Sequence, residues 1–100
     1  MNMQAIMKQA KKMQDDMMKT QQEIEKKEFV GESSLVTVRI NGKKELLEVN
    51  IKNDGLEKDD IEILQDMIVV ATNQAMKKVD EETESKMSKY ANIPGLSGLF

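Results

Sequence analysis

The sequence contains no cysteine, no histidine and no tryptophan, and a single proline among 100 residues. Without cysteine there is no disulfide framework, no thiol nucleophile and no cysteine-based metal knuckle. Without histidine the usual general base and the commonest transition-metal ligand are both missing, so neither a Ser-His-Asp nor a Cys-His site can be assembled. Aromatics make up 3% of the chain, as Phe29, Tyr90 and Phe100. Aromatics bury the most area per residue, so nine methionines must do part of the filling. No apolar run approaches the ~18 residues that a membrane span requires. Residues 1–10 carry Lys8 but lack the apolar stretch and cleavage pattern of a secretory signal. These absences lead to the expectation of one soluble, cytoplasmic domain over 1–100, with no cofactor, no metal and no membrane partner.

What is present is charge. A third of the residues are charged, against roughly a quarter in ordinary globular domains, and the balance is −3. A chain this short buries only somewhat over ~60% of its unfolded surface, so a thin core invites oligomerisation. The overall acidity gives no global reason to expect nucleic-acid binding, which would have to come from local clustering.

Residues 1–27 read as one helix. Met3, Ile6, Ala10, Met13, Met17, Thr20 and Ile24 recur at alternating spacings of three and four, an a/d stripe without glycine or proline. A helix over 3–27 would be roughly 37 Å long, more than a domain of this size needs, so part of it is expected to project as an arm. Over 28–53 the period drops to two. Val36, Val38 and Ile40 alternate with polar residues, Asn41-Gly42 signals a hairpin, and Leu47, Val49 and Ile51 alternate again. A two-stranded hairpin is marginal alone, so a third strand at 28–32 and a covering helix are expected.

Helical periodicity returns over 59–89. Asp59 followed by Glu62 reads as a capping box, and Asp60 also suits the positive end of the dipole. That placement explains Asp59, Asp60 and Glu62 better than a divalent-cation site does. Ile61, Leu64, Ile68, Ala71 and Ala75 form one stripe, while Met67, Val69 and Val70 carry apolar surface nearly round the rod. Such a helix is buried on more than one side, so Leu64, Met67, Ile68, Val69 and Ala71 are the expected contacts of a second copy. Met76, Val79, Thr83 and Met87 continue a narrow line that would meet the first helix in antiparallel fashion. Pro94 ends the helical pattern, leaving residues 90–100 as an apolar tail rich in glycine.

Asn2-Met3, Met7-Lys8-Gln9-Ala10, Met13-Gln14, Val38-Arg39-Ile40-Asn41-Gly42, the run from Glu62 to Ala75, Lys86-Met87 and Pro94-Gly95-Leu96 occur in an order and spacing that resemble the YbaB/EbfC family of bacterial nucleoid-associated proteins. The resemblance spans essentially the whole chain. Ser33-Ser34 replaces the family's glycine run, and Gly55-Leu56-Glu57-Lys58 replaces its proline-containing link. The resemblance implies an α+β fold of order α–β–β–β–α, with a long N-terminal helix, a three-stranded antiparallel sheet and a long C-terminal helix, assembled as a tweezer-like homodimer. It implies a nucleoid-located protein that binds double-stranded DNA, alters its shape and affects nucleoid organisation and gene expression.

Residues 1–14 carry Lys8, Lys11 and Lys12 and no acid, while Lys77, Lys78, Lys86 and Lys89 stand among acids near the end. An antiparallel helix pair would bring these two stretches together. Lys8, Lys11, Lys12, Lys19, Lys86 and Lys89 are therefore the candidate DNA contacts. Lysine suits phosphate, base readout favours arginine, and Arg39 is the only arginine, so backbone contact with weak sequence preference is expected. No glycine-rich phosphate loop and no nucleophile with a base is present, so no enzyme and no small-molecule substrate are expected. The competing expectation is an interaction adaptor that binds replication or recombination proteins through its arms and tail.

Overall fold

The computed structural model describes residues 2–90. Helix α1 covers Met3–Lys26, strands β1, β2 and β3 cover Glu28–Ser33, Val36–Asn41 and Leu46–Ile51, and helix α2 covers Ile61–Met87. One 3₁₀ turn, Lys58–Asp60, leads into α2 and another, Ser88–Tyr90, closes it. The apolar tail expected over 90–100 lies, beyond Tyr90, outside the described residues. The strands form one antiparallel sheet in the order β1-β2-β3. This is the α+β fold expected from the two changes of period. The molecule measures 71 × 18 × 14 Å, and its radius of gyration of 19.7 Å far exceeds the ~13 Å of a compact chain of this length.

The core lies between α2 and the first two strands. Val36, Val38 and Ile40 point inward from β2, Phe29 and Gly31 from β1, and Ala71, Ala75 and Val79 descend on them from α2. The approach is close because three small residues meet there. A Cβ built on Gly31 would overlap the Ala71 carbonyl oxygen and stand 2.9 Å from the Ala75 nitrogen. The outer edge of β1 is closed by α2 as well. The Glu32 N–H donates to Gln74 Oε1 at 2.6 Å, and Lys78 Nζ donates to the Val30 carbonyl at 2.6 Å. Blocking an edge with side chains in this way prevents strand addition there.

Strand β3 is treated differently. Its register with β2 sets Val49 against Val38 and Ile51 against Val36, so its apolar residues share the inner face. Yet α2 lies over β1 and β2, and Leu46, Leu47 and Val49 remain 50%, 45% and 37% exposed. The covering helix expected for the whole hairpin reaches only half of the sheet.

The hairpin signal at Asn41-Gly42 marks the right place for a different reason. Asn41 Oδ1 accepts from the Lys43 and Glu45 N–H groups, and the left-handed residue is Lys44, at φ 64°. Gly42 is needed for closeness: its N–H donates to the Glu25 carbonyl at 3.3 Å, and a Cβ there would strike the Ile24 carbonyl. The hairpin tip thus satisfies one of the last carbonyls of α1, which have no partner within the helix. The expected start of the last helix also shifts. Asp60 Oδ2 accepts from the Glu57 N–H at 2.9 Å, so the reciprocal arrangement begins at Glu57 rather than at Asp59 with Glu62, and α2 proper starts at Ile61.

A second cluster joins the helices. Met17 and Ile24 of α1 pack with Met87 and Tyr90, and Lys27 bridges to Glu82 at 2.8 Å, so the helices run antiparallel as expected. Thr83, placed on the contact line by its spacing, is exposed instead. The Lys27 hydrogen bond holds the Glu82 carboxyl below its ordinary pKa against the opposing effect of desolvation, with Lys27 and then Lys86 adding Coulombic attraction.

Two outcomes test this packing. Gly31→Ala should lower stability by about 3 kcal/mol or more in a denaturant titration, because the obstruction is helix backbone that cannot rotate away. Glu82→Gln should remove stability at ~pH 6 and cost nothing at low pH, since a depressed carboxyl contributes above its ordinary pKa and its contribution is lost as pH falls through the lowered value. Melting curves across the acid range read that difference.

Candidate nucleic-acid interface

Helix α1 begins at Asn2, whose side chain accepts from the Gln4 N–H at 3.1 Å. Its two halves stand in different surroundings. Met17 and Ile24 are buried under the end of α2, and Met13 and Thr20 are half-buried. Met3, Ile6 and Met7, nearer the start, are 73%, 48% and 66% exposed. The a/d stripe is therefore a helix seam only below Met13. Above it the helix projects, as its length predicts.

The lysines of α1 lie on the opposite side of this rod. At 3.6 residues per turn, Lys8, Lys12 and Lys19 fall within about 40° of one line, and that line stands about 160° from Met17. Lys26, seven residues beyond Lys19, continues the line, while Lys11 is displaced by about 80°. All five side chains are exposed. Lys26 was not among the expected contacts, although the recurrence at seven residues marks it.

Ion pairing separates the lysines into two sets. Lys27 bonds Glu82 at 2.8 Å, Lys44 bonds Asp80 at 2.7 Å, Lys78 holds the Val30 carbonyl, and Lys86 lies 4.0 Å from Glu82. Lys89 sits 5.1 Å over the Tyr90 ring. Arg39 lies between Glu28 at 2.7 Å and Glu48 at 3.9 Å on the outer face of the sheet. Lys8, Lys11, Lys12 and Lys19 enter no ion pair among the described residues, and neither do Lys26, Lys43, Lys52, Lys58 and Lys77; what distinguishes the first group is its clustering on one helix. Asp15 and Asp16, four residues beyond Lys11 and Lys12, do not pair with them.

The two lysine stretches do not merge as the antiparallel pairing suggested. Met17 faces α2, so the line of Lys8, Lys12 and Lys19 faces away from it. Lys8 and Lys12 also lie roughly 13 and 7 Å along the axis beyond Met17, past the level at which Met87 and Tyr90 pack. Lys86 and Lys89 belong to the other helix and are engaged within the chain. The arrangement is thus a line of lysines along an exposed rod, spaced by about 6 and 10 Å, with Asp15 and Asp16 flanking it between Lys12 and Lys19, so that positive charge is unopposed only over Lys8, Lys11 and Lys12. Point charges in such a row suit a polyanion better than a single small anion.

The residues expected to meet a second copy divide similarly. Ala71 is fully buried against Gly31 of its own sheet, so it is closed to any partner. Leu64, Met67 and Ile68 are half-buried on the chain's own core, and Val69 is 57% exposed. Beside Val69, the exposed apolar residues of α2 are Ile61, Ile63 and Val70.

The chain is similar to proteins already described. It is 50% identical over 102 residues to a nucleoid-associated protein of Clostridium novyi, covering 100% of this chain and 90% of that one. A nucleoid-associated protein of Ligilactobacillus salivarius is 40% identical over 99 residues, covering 96% and 95% of the two chains. In fold the chain resembles the crystal structure of an uncharacterized Helicobacter pylori protein, with a TM-score of 0.72 at 20% identity over 92% of this chain and 99% of that one. The model of the YbaB/EbfC DNA-binding family matches residues 1–93, and the chain belongs to that family.

Proposed function

We propose that the protein binds duplex DNA in the nucleoid through the lysine row of α1, mainly at the phosphate backbone, and acts as a dimer that alters DNA conformation and so affects nucleoid organisation and gene expression. The observation that carries this reading is that Lys8, Lys12 and Lys19 share one exposed line and enter no ion pair among the described residues, where Lys27, Lys44 and Lys78 are held by partners within the chain. Membership of a DNA-binding family and the nucleoid-associated relatives support it. Lysine predominance and the engagement of Arg39 by Glu28 argue for weak base readout.

The dimer rests on a separate argument. Leu46, Leu47 and Val49 on β3, and Val69 and Val70 on α2, are exposed apolar residues. Exposed apolar surface of this kind ordinarily meets a partner. A second copy would cover it and repeat the lysine row on a second arm. The adaptor reading, in which the arms bind another protein, differs in its response to salt, because an apolar interface lacks counterion release.

Two measurements test this function. Gel-shift titrations at two ionic strengths should show steep salt dependence with unrelated duplexes. Lys8→Ala, Lys12→Ala and Lys19→Ala combined should weaken binding to all of them and lower the log–log salt slope by about 0.9 for each phosphate that is no longer neutralised. Circular dichroism should stay unchanged, alanine being the best helix former. Retention of affinity by this variant, with its disappearance on Lys43→Ala and Lys44→Ala, would move the interface to the hairpin. For assembly, sedimentation should give twice 11.4 kDa for the wild type at micromolar concentration and 11.4 kDa for Val49→Asp with Val69→Asp. A monomeric wild type refutes the dimer.

A further inference from the structure

Asn41 is followed by Gly42, and none of the other asparagines, Asn2, Asn50, Asn53, Asn73 and Asn92, has glycine after it. An asparagine–glycine pair carries its own chemistry. The glycine nitrogen can attack Cγ of the asparagine, because no Cβ obstructs the approach. The N–Cγ bond forms, the Cγ–Nδ2 bond breaks, and Nδ2 leaves as ammonia with the proton that the glycine nitrogen gives up. Water then opens the cyclic imide at either carbonyl, leaving an aspartyl or an isoaspartyl residue. Water is taken up, ammonia is released, and nothing is oxidised or reduced.

In the folded chain both reacting groups are occupied. The Asn41 side chain accepts at Oδ1 from the Lys43 N–H at 2.9 Å and the Glu45 N–H at 3.1 Å, and donates from Nδ2 to Glu45 Oε1 at 2.8 Å. The attacking nitrogen is held by a different element, since the Gly42 N–H donates to the Glu25 carbonyl of α1 at 3.3 Å. Ring closure also requires the Asn41 backbone to leave the extended form it holds as the last residue of β2. Both residues are only half-buried, so it is these contacts, and not exclusion of water, that keep the pair apart.

We propose that Asn41 is a deamidation site that the seat of α1 on the hairpin tip keeps closed, and that its conversion undoes this seat. Protection and lability share one residue. Gly42 lacks the side chain that would strike the Ile24 carbonyl, so α1 can come close enough to hold it. The same lack opens its nitrogen to Cγ once α1 moves off. Conversion is one-way. An aspartyl residue sets a carboxylate where Nδ2 now donates to Glu45, so an attraction becomes a like-charge contact. An isoaspartyl residue adds a methylene to the main chain ahead of Gly42 and draws its N–H off the Glu25 carbonyl. Either product loosens the end of α1 from the sheet, at the base of the projecting arm. The lysines of α1 take no part, so the inference stands apart from the DNA-binding reading.

Ageing the full chain in mildly alkaline buffer, with peptide mass mapping of the change from amide to acid, tests the inference. Asn41 should convert about tenfold or more slowly in the folded protein than in the same chain in denaturant. Over low denaturant concentrations, conversion at Asn41 and hydrogen exchange of the Gly42 amide should rise in proportion, because one opening exposes both. Ile24→Ala, which weakens the packing of α1 against Met87 and Tyr90, should speed conversion several-fold with helical content retained. If that variant unfolds, the two wild-type measurements decide alone. In the purified isoaspartyl product the Gly42 amide should exchange about tenfold faster than in unaged protein. Conversion as fast in the folded protein as in denaturant, or independent of Gly42 exchange, would overturn the closed site. Unchanged Gly42 exchange in the product would overturn the release of α1.

Discussion

The close seat of α2 on β1 governs the rest of the molecule. Gly31 offers no side chain, Ala71 and Ala75 offer only methyl groups, and the helix backbone comes down until its carbonyl oxygen occupies the space a Cβ would take. At that distance Gln74 and Lys78 reach the outer edge of β1 and close it. The same seat decides what stays uncovered. A helix centred over β1 and β2 is too narrow to shelter a third strand ~4.8 Å further on, at ~10 Å helix diameter, so Leu46, Leu47 and Val49 stay exposed. One edge of the sheet is thus finished within the chain, while apolar surface remains on the strand at its other side.

The polar interactions follow from the same placement. Lys27, Lys44 and Lys78 are used to hold α1, the hairpin and β1 to α2, and each has a carboxylate or carbonyl within 2.8 Å. Their positive charge is largely spent on the fold. The lysines of the projecting half of α1 meet no carboxylate of α2 among the described residues, where the end of α2 and its closing turn pack against Met17 and Ile24. A charge balance of −3 for the chain therefore coexists with a rod whose first half, as far as Lys12, is locally basic. Net charge alone would have argued against a polyanion partner; the proposed one rests on the local cluster of Lys8, Lys11 and Lys12.

Secondary structure and its order were legible in the residues, because each element has a period that owes little to its neighbours. The heptad stripe marks α1, alternation marks β2 and β3, and the return of helical spacing marks α2. The antiparallel meeting of Met87 with the methionine stripe was also legible, as was the projection of the arm, which follows from counting residues against rise. The resemblance of short ordered motifs identified the family.

Other features were decided only by tertiary structure. Ala71 and Val69 lie on one continuous apolar girth in sequence, but the approach to Gly31 buries the first completely and leaves the second exposed, and no periodicity encodes which side of a helix faces its own sheet. Gly42 follows an asparagine and reads as a turn residue, yet its lack of a side chain serves the contact with α1, while the left-handed position falls to Lys44. The lysines carry the same lesson. Their clustering and their common line on α1 are properties of the sequence, because helical spacing is local. Which of them remain unpaired depends on distances to acids far along the chain, 55 residues in the case of Lys27 and Glu82, and only the fold sets those distances.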